Sequence, residues 1–469
     1  MKKITHTAVF TLLFIISSVI YSFGQGYRIE ATLKGVKDSS FVLGHYSYSN
    51  KQFVAKDTAK ADANGHMVFE GKTNLPGGLY LLLFPGNQKW IEIVYSGKET
   101  SFSMETDTAS LVESMVVKGS KDNQLFYAYQ RELKKGVQQM EALNKNSSAY
   151  GPAKMKAAQD NFKAYRDKFF KENSDSFTIK LFKMSSEPEV PAAPKLANGK
   201  TDSLWVFNYY KKHYWDEIDF ADDRILRTPF LEAKIDRYIK NLVVQTPDSL
   251  IKDTDWLVAK ASANKDVKSY VVFYIINQYE NPKTVGTEAL WVHMANKYYL
   301  SGDMGISDDA KKRISDKVNT LKDVLVNKTF PPLPITDATG KKINLQAIDA
   351  SYTVLFFYAA TCGHCKEASP VLKSFYDKNK ADGVKVIAID TEHNQDEWKS
   401  FVKTYHLEEL INGFDPLNQV DFNKKYDVVT TPTIYVLDKN KKIIARKMPV
   451  EQLDDFLNYY KKKQLASTK

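Results

Sequence analysis

Cysteine is almost absent from this sequence, which has two, Cys362 and Cys365, in 469 residues. A pair so close together cannot staple distant parts of a fold, so a disulfide framework is excluded. A closed zinc site requires four ligands, and the chain has no second C-x-x-C and no spaced histidine pair. We predict no metal and no cofactor, and interpret the pair as a reagent. An inert disulfide, half of a metal site and a chance pair are the alternatives.

Long apolar runs are also scarce, and the one that bears on localisation lies within residues 1–24. Residues 1–24 begin Met1-Lys2-Lys3, continue through a mostly apolar stretch at residues 8–20 and end with small residues at positions 22 and 24, the pattern of a cleaved secretory signal. An uncleaved anchor is the alternative, but the apolar stretch is shorter than the roughly 20 residues of a membrane-spanning helix. No later segment is apolar for that length. We therefore predict export to the periplasm or cell envelope.

Strongly charged clusters are missing as well. The formal net charge is +10, and the excess of basic residues is spread thinly along the chain. We find no nucleic-acid-binding motif, so the sequence predicts no nucleic-acid partner. Hydrophobic residues make up 43% of the chain, enough to bury substantial cores in about three domains.

The periodicity of apolar residues changes twice along the chain after the signal. Residues 25–120 alternate apolar and polar positions in short runs broken by turns, which predicts an antiparallel all-β sandwich or small barrel. Residues 121–327 show helical spacing and predict an all-α domain. Residues 328–469 alternate strand-like and helix-like segments, which predicts a mixed α/β domain. The expected fold is therefore multidomain.

The two cysteines stand in the sequence Thr-Cys-Gly-His-Cys-Lys, which directly follows the apolar run of residues 354–360. That order predicts a dithiol at a strand-to-helix turn. A thiol at the start of a helix lies near unpaired backbone N–H groups and the positive end of the helix dipole, which lower its pKa. The thiolate is the species that attacks disulfides.

Four features in order carry a family resemblance: the apolar strand, the Cys362–Cys365 turn, Pro370, and Pro432 within the segment 426–433. The set resembles the thioredoxin fold, and more closely the extracytoplasmic thiol-disulfide oxidoreductases of the TlpA and ResA type. An insertion at residues 390–416 favours that branch. The upstream segments look like the sandwich and helical domains of unknown function that precede such modules in envelope proteins.

The resemblance implies roles for five residues. Cys362 is the expected nucleophile and Cys365 resolves the mixed disulfide. Pro432 is expected in the cis form facing the cysteines, and the backbone of Thr431 is expected to pair with an extended substrate. His364 resembles the residue between the cysteines of protein disulfide isomerases, and we predict that it tunes the pKa of the thiol.

The sequence departs from related patterns at several positions. Thr361 stands where a tryptophan commonly precedes the first cysteine. Ala368 stands where many relatives carry a glutamate, so a proton-acceptor role for the neighbouring Glu367 is not favoured. A peroxidase is disfavoured because Ala359 and Leu355 occupy the positions of the peroxiredoxin threonine and proline.

The sequence therefore predicts an extracytoplasmic thiol-disulfide oxidoreductase with a redox-active CGHC dithiol. Its predicted partners are cysteine-containing envelope proteins and a membrane thiol-disulfide electron donor. Two alternatives stay open: a disulfide isomerase with a chaperone surface in the helical region, and a non-enzymatic envelope protein that senses redox state.

Overall fold

The structure is a computed structural model that describes residues 26–46, 53–86, 89–145, 152–280 and 286–467. The predicted signal peptide at residues 1–24 lies outside the described residues. None of the helices in the described ranges is long and apolar enough to cross a membrane.

The chain divides into two compact units. The first comprises residues 1–187 with 224–230, and the second comprises residues 188–223 with 231–469. The sequence-based domain limits at residues 120 and 327 stay predictions.

The first unit contains the β-rich part of the chain, as predicted from the alternating pattern. Strand β1 buries every second side chain, because successive side chains of a strand point to opposite faces of its sheet. In the described residues two four-stranded sheets form, with orders β4-β1-β7-β8 and β3-β2-β5-β6. The strands are β1 (Tyr27–Lys34), β2 (Ser40–Tyr46), β3 (Phe53–Lys60), β4 (His66–Gly71), β5 (Gly78–Leu83), β6 (Trp90–Tyr95), β7 (Ser101–Asp107) and β8 (Val116–Lys118).

Strand pairing departs from the antiparallel expectation at one place. Strands β1 and β7 run parallel, whereas β1 pairs with β4 in the antiparallel sense. Parallel neighbours need a long connection, and here the chain builds the whole second sheet between them. Strand β3 lacks the apolar alternation that predicts this domain, and none of its side chains is buried.

Three helices follow the sheets: α1 (Lys121–Lys145), α2 (Pro152–Glu172) and α3 (Phe177–Ser185). Helix α1 lies on β6, because the Asn123 side chain accepts from the Val94 amide and donates to the Val94 carbonyl, both at 2.8 Å. The Tyr127 hydroxyl donates to the Glu92 carbonyl at 2.7 Å. Helix α3 packs on α1 through the rings of Tyr129 and Phe182, whose centroids are 4.4 Å apart.

The predicted helical region continues into the second unit. Side chains cap several of these helices, for example Asn264 at the start of α7 and Ser307 at the start of α9. The helices are α4 (Ser203–His213), α5 (Phe230–Arg237), α6 (Pro247–Ala261), α7 (Lys265–Tyr279), α8 (Glu288–Met294) and α9 (Asp308–Leu321).

A five-stranded mixed sheet of order β11-β10-β9-β12-β13 ends the chain. Its central strand β9 is buried at every position, because helices cover both faces of the sheet. This confirms the predicted thioredoxin-like α/β domain. Its elements are β9 (Tyr352–Tyr358), α10 (Gly363–Asn379), β10 (Val384–Asp390), α11 (Gln395–Thr404), β11 (Ile411–Phe414), α12 (Phe422–Tyr426), β12 (Thr433–Asp438), β13 (Ile443–Arg446) and α13 (Leu453–Ser467).

Candidate active site

The two cysteines lie at the turn from strand β9 into helix α10. Cys362 is the residue before the helix, with an extended backbone, and its amide donates to the Ala359 carbonyl at 3.0 Å. Its own carbonyl accepts from the Lys366 amide at 3.2 Å and begins the helix. The sequence therefore places the dithiol at a tight turn at the edge of the sheet, as the apolar run and the Cys-Gly-His-Cys order predicted.

The two sulfur-bearing residues differ in exposure. Cys362 is partly exposed, whereas Cys365, in the first turn of α10, is fully buried in the apolar core. Both are free thiols in the structure. A large substrate can therefore reach Cys362 and cannot reach Cys365 directly.

The pKa values of the two thiols also differ, and the more exposed thiol has the lower one. Partial burial raises the pKa of Cys362, but hydrogen bonds from the Cys365 amide, the Thr431 side chain and the His364 amide outweigh it and leave the pKa below its ordinary value. Burial raises the pKa of Cys365 to about 12. The accessible sulfur is therefore the one that ionises more readily.

Alkylation of the reduced protein should reveal this difference. We expect iodoacetamide to modify Cys362 with a pH profile whose midpoint lies below the roughly 8.5 of a free cysteine, because the thiolate is the reactive form. Cys365 should stay unmodified below about pH 10, since burial both blocks access and raises its pKa. Peptide mass spectrometry of samples quenched at each pH measures both, and equal labelling of the two cysteines would contradict the assignment.

The predicted substrate-binding pair lies beside the thiols. The peptide bond between Thr431 and Pro432 is cis. The carbonyl oxygen of Thr431 lies 3.3 Å from the sulfur of Cys362 and accepts its S–H. The structure therefore brings together residues that are 69 positions apart in the sequence.

An open cavity of about 770 Å³ extends from Thr431 along the loop that precedes it. Val429 lines it with 61% of its surface exposed. The lining also includes one carboxylate, that of Asp421, and several uncharged polar side chains: Thr391, Asn418, Gln419, Asn423 and Thr430. Side chains of this kind can accept and donate hydrogen bonds along an extended polypeptide without demanding a charge on it.

His364 is highly exposed, and its Nδ1 lies 3.7 Å from Oε2 of Glu367. Its backbone amide is among the groups that lower the pKa of Cys362. The role of its imidazole stays a prediction, which the reduction potential can test.

The reduction potential of the dithiol should lie closer to the roughly −180 mV of protein disulfide isomerase than to the roughly −270 mV of thioredoxin. An imidazolium beside the nucleophile favours the thiolate and so destabilises the disulfide. The His364→Ala variant should shift the potential to more negative values, whereas Lys366→Ala, an exposed cation of the same turn, should shift it less. Equilibration with glutathione buffers measures all three; a native value below that of thioredoxin would overturn the prediction.

Two acidic residues that we did not single out from the sequence also shape the site. The Glu392 carboxylate accepts from the Thr361 amide at 3.1 Å and from its hydroxyl at 2.5 Å. Asp390 is fully buried at the end of β10 and accepts from the Glu392 amide at 3.0 Å; burial raises its pKa to about 7. Two signals in the sequence were available: Asp390 ends a mostly apolar strand, and Thr361 stands in place of the common tryptophan. In the described part of the chain, no group of three or more His, Cys, Asp or Glu is placed to hold a metal ion.

Three family profiles match successive parts of the chain. The profile of the AhpC/TSA family matches residues 326–446. Domains of unknown function match upstream: DUF4369 at residues 27–126 and DUF5106 at residues 131–323.

Curated relatives resemble about a quarter of the chain. The thiol-disulfide oxidoreductase ResA of Bacillus thuringiensis subsp. konkukian is 32% identical over 135 residues, which are 28% of this chain and 76% of that protein. The sporulation thiol-disulfide oxidoreductase A of Bacillus subtilis is 31% identical over 110 residues, covering 22% of this chain and 65% of that protein.

Among solved structures, a domain of a possible thiol-disulfide isomerase from Cytophaga hutchinsonii is 41% identical with a TM-score of 0.29, covering 30% of this chain and 97% of that one. A thioredoxin-like protein from Bacteroides caccae is 20% identical with a TM-score of 0.46, covering 58% of this chain and 98% of that one.

Proposed function

Because this chain belongs to the family of thiol-disulfide oxidoreductases that includes ResA, we propose that it exchanges disulfides with cysteine-containing proteins of the cell envelope through Cys362 and Cys365. The observation that supports the proposal best is the pairing of an accessible thiol of lowered pKa with a fully buried one. The signal-like pattern of residues 1–24 supports an extracytoplasmic location.

The proposed reaction moves two electrons in two steps. The Cys362 thiolate attacks one sulfur of a substrate disulfide; the substrate S–S bond breaks, a mixed disulfide forms, and the released substrate thiolate takes a proton. Cys365 then loses its proton and attacks the Cys362 sulfur. The substrate leaves as a dithiol and the protein holds an intramolecular disulfide, which a membrane thiol donor would reduce again.

Substrate would lie along the cavity that begins at Thr431. Pro432 has no N–H, so it cannot donate to a neighbouring strand, and the adjoining backbone of Thr431 is the group left to pair with an extended segment. In the reduced protein the Thr431 carbonyl accepts the Cys362 S–H. When Cys362 loses that proton, its thiolate forms and the Thr431 carbonyl becomes free to accept a hydrogen bond from the substrate. The same deprotonation would therefore prepare both groups that meet the substrate.

Trapping tests the proposal directly. In the Cys365→Ser variant the second step has no nucleophile, so mixed disulfides with envelope proteins should accumulate, and mass spectrometry of the adducts should place the bond at Cys362. The matched control is Cys362→Ser, which should form none. Adducts in neither variant, or in both, would contradict the proposal.

The two alternative functions make different predictions. An isomerase would restore activity to a substrate with scrambled disulfides, whereas a reductase would only reduce it. A redox sensor would show no thiol-dependent turnover of insulin disulfides at all. These two assays on the native protein separate all three possibilities.

A further inference from the structure

A second cavity lies in the first unit, far along the sequence from the cysteines. It has a volume of about 250 Å³ and lies where helices α1 and α3 cover strands β5 and β6. Its walls are aromatic and aliphatic: Leu79, Phe126, Tyr129, Leu133, Phe182 and Phe230. The volume is below the roughly 300–1,000 Å³ of sites for drug-sized ligands, so it suits a group about the size of one side chain.

One acidic side chain belongs to this apolar cavity. Ile91 and Ile93 point into the sandwich and are buried, so Glu92 between them points to the opposite face, toward α1. Among the described residues no hydrogen bond or ion pair reaches its carboxylate, and burial raises its pKa. A carboxyl group held among apolar side chains without a partner is costly to ionise.

We infer that this cavity binds a primary ammonium group carried on an apolar stem, with Glu92 as its counter-ion. The rings of Phe126, Tyr129 and Phe182 would contact the stem and offer their negatively polarised faces to the charge. Gln130 and Ser185 add hydrogen-bonding groups to the lining. A lysine side chain of a polypeptide and a free alkylamine share this chemistry.

Charge selects this class of ligand over the others that would fit. A neutral apolar group would leave the Glu92 carboxyl uncompensated, and an anion would face it directly. An ammonium ion supplies the missing opposite charge in a partly desolvated place, where such a pairing is stronger than in water.

Binding of phenethylamine to the full-length protein tests the inference, with 2-phenylethanol as its uncharged counterpart. Saturation-transfer NMR should show that Glu92→Gln, which keeps the shape of the side chain, weakens phenethylamine binding by about tenfold or more, the equivalent of about 1.4 kcal/mol. Phenylethanol binding should not change. The control Glu141→Gln removes an exposed carboxylate of α1 and should leave both ligands unaffected. Equal binding of the amine to native and Glu92→Gln protein, or none to the native protein, would overturn the inference.

The pH dependence gives a second test that needs no variant. Affinity for phenethylamine should rise with pH as Glu92 ionises, over a range higher than that of an exposed glutamate because burial raises its pKa, while the amine itself stays protonated. The phenols of Tyr46 and Tyr127 are also coupled to Glu92, but burial raises the pKa of both, so they stay neutral in this range. A flat profile would overturn the inference.

Capped peptides distinguish the two sources of the ligand. A capped lysine residue that binds in a Glu92-dependent way, with the norleucine analogue failing, supports a polypeptide ligand. Glu92-dependent binding of phenethylamine alone supports a free amine. Failure of both cationic probes overturns the inference, and neither result bears on the thiol chemistry of Cys362.

Discussion

Replacement of Cys362 by serine is expected to lower the rate of insulin disulfide reduction by about three orders of magnitude, to the uncatalysed background. A serine hydroxyl does not ionise at neutral pH and does not attack disulfides. The remaining thiol, Cys365, is fully buried and its pKa is raised to about 12, so it cannot replace the lost nucleophile. Turbidity from the precipitating insulin B chain, with dithiothreitol as electron source, measures the rate.

The isosteric change should leave the fold intact, and the circular dichroism spectra of native and variant protein should agree. A variant that keeps more than about a tenth of native activity would show that Cys362 is not the attacking sulfur. A native protein without thiol-dependent turnover would instead favour the redox-sensing alternative.

Replacement of Arg446 by methionine is expected to lower the free energy of unfolding of the second unit by about 3–5 kcal/mol. The Arg446 side chain is fully buried at the end of β13. Its guanidinium donates to the Asp427 carboxylate and, at 3.2 Å, to the Val324 carbonyl, while its Nε lies 3.6 Å from Oε1 of Glu288. Methionine fills the space but removes the buried cation that two nearly buried carboxylates share, and it leaves Asp427 with only the partly exposed Lys447 as an ion-pair partner. Urea denaturation followed by tryptophan fluorescence measures the loss.

An exposed arginine of the same unit provides the control. Arg313→Met on α9 should change the free energy of unfolding by less than about 0.5 kcal/mol. Adding Asp427→Asn to Arg446→Met should restore part of the stability, because the buried carboxylate is removed; asparagine also tolerates the left-handed backbone at that position, where φ is 53°. Equal losses in Arg446→Met and Arg313→Met would contradict the prediction.

Local signals made the thioredoxin-like part predictable from the sequence. The apolar run of residues 354–360 ends at a tight turn, and both the buried strand β9 and the start of α10 follow from that order. The same kind of signal is lacking in β3, where no side chain is buried and the sequence shows no apolar alternation. The parallel pairing of β1 with β7 was not predictable, since it depends on where the chain returns after building another sheet.

The site was predictable only in part. The cysteines and Pro432 stand in recognisable sequence patterns, and the structure places them together. The contact of Glu392 with Thr361 spans 31 residues and rests on the meeting of two strand ends, which no local pattern reports. The Glu92 cavity likewise depends on how α1 and α3 lie on a sheet, so the sequence showed only a glutamate in an alternating strand.

In the proposed reaction, burial of Cys365 determines how long a client protein stays covalently attached to Cys362. Release of the client needs the second sulfur to give up a proton in surroundings that strongly oppose its ionisation. The adduct should therefore outlive the capture step, and its lifetime should shorten as the medium becomes more alkaline. During that interval a client with several cysteines can rearrange its own bridges before it departs.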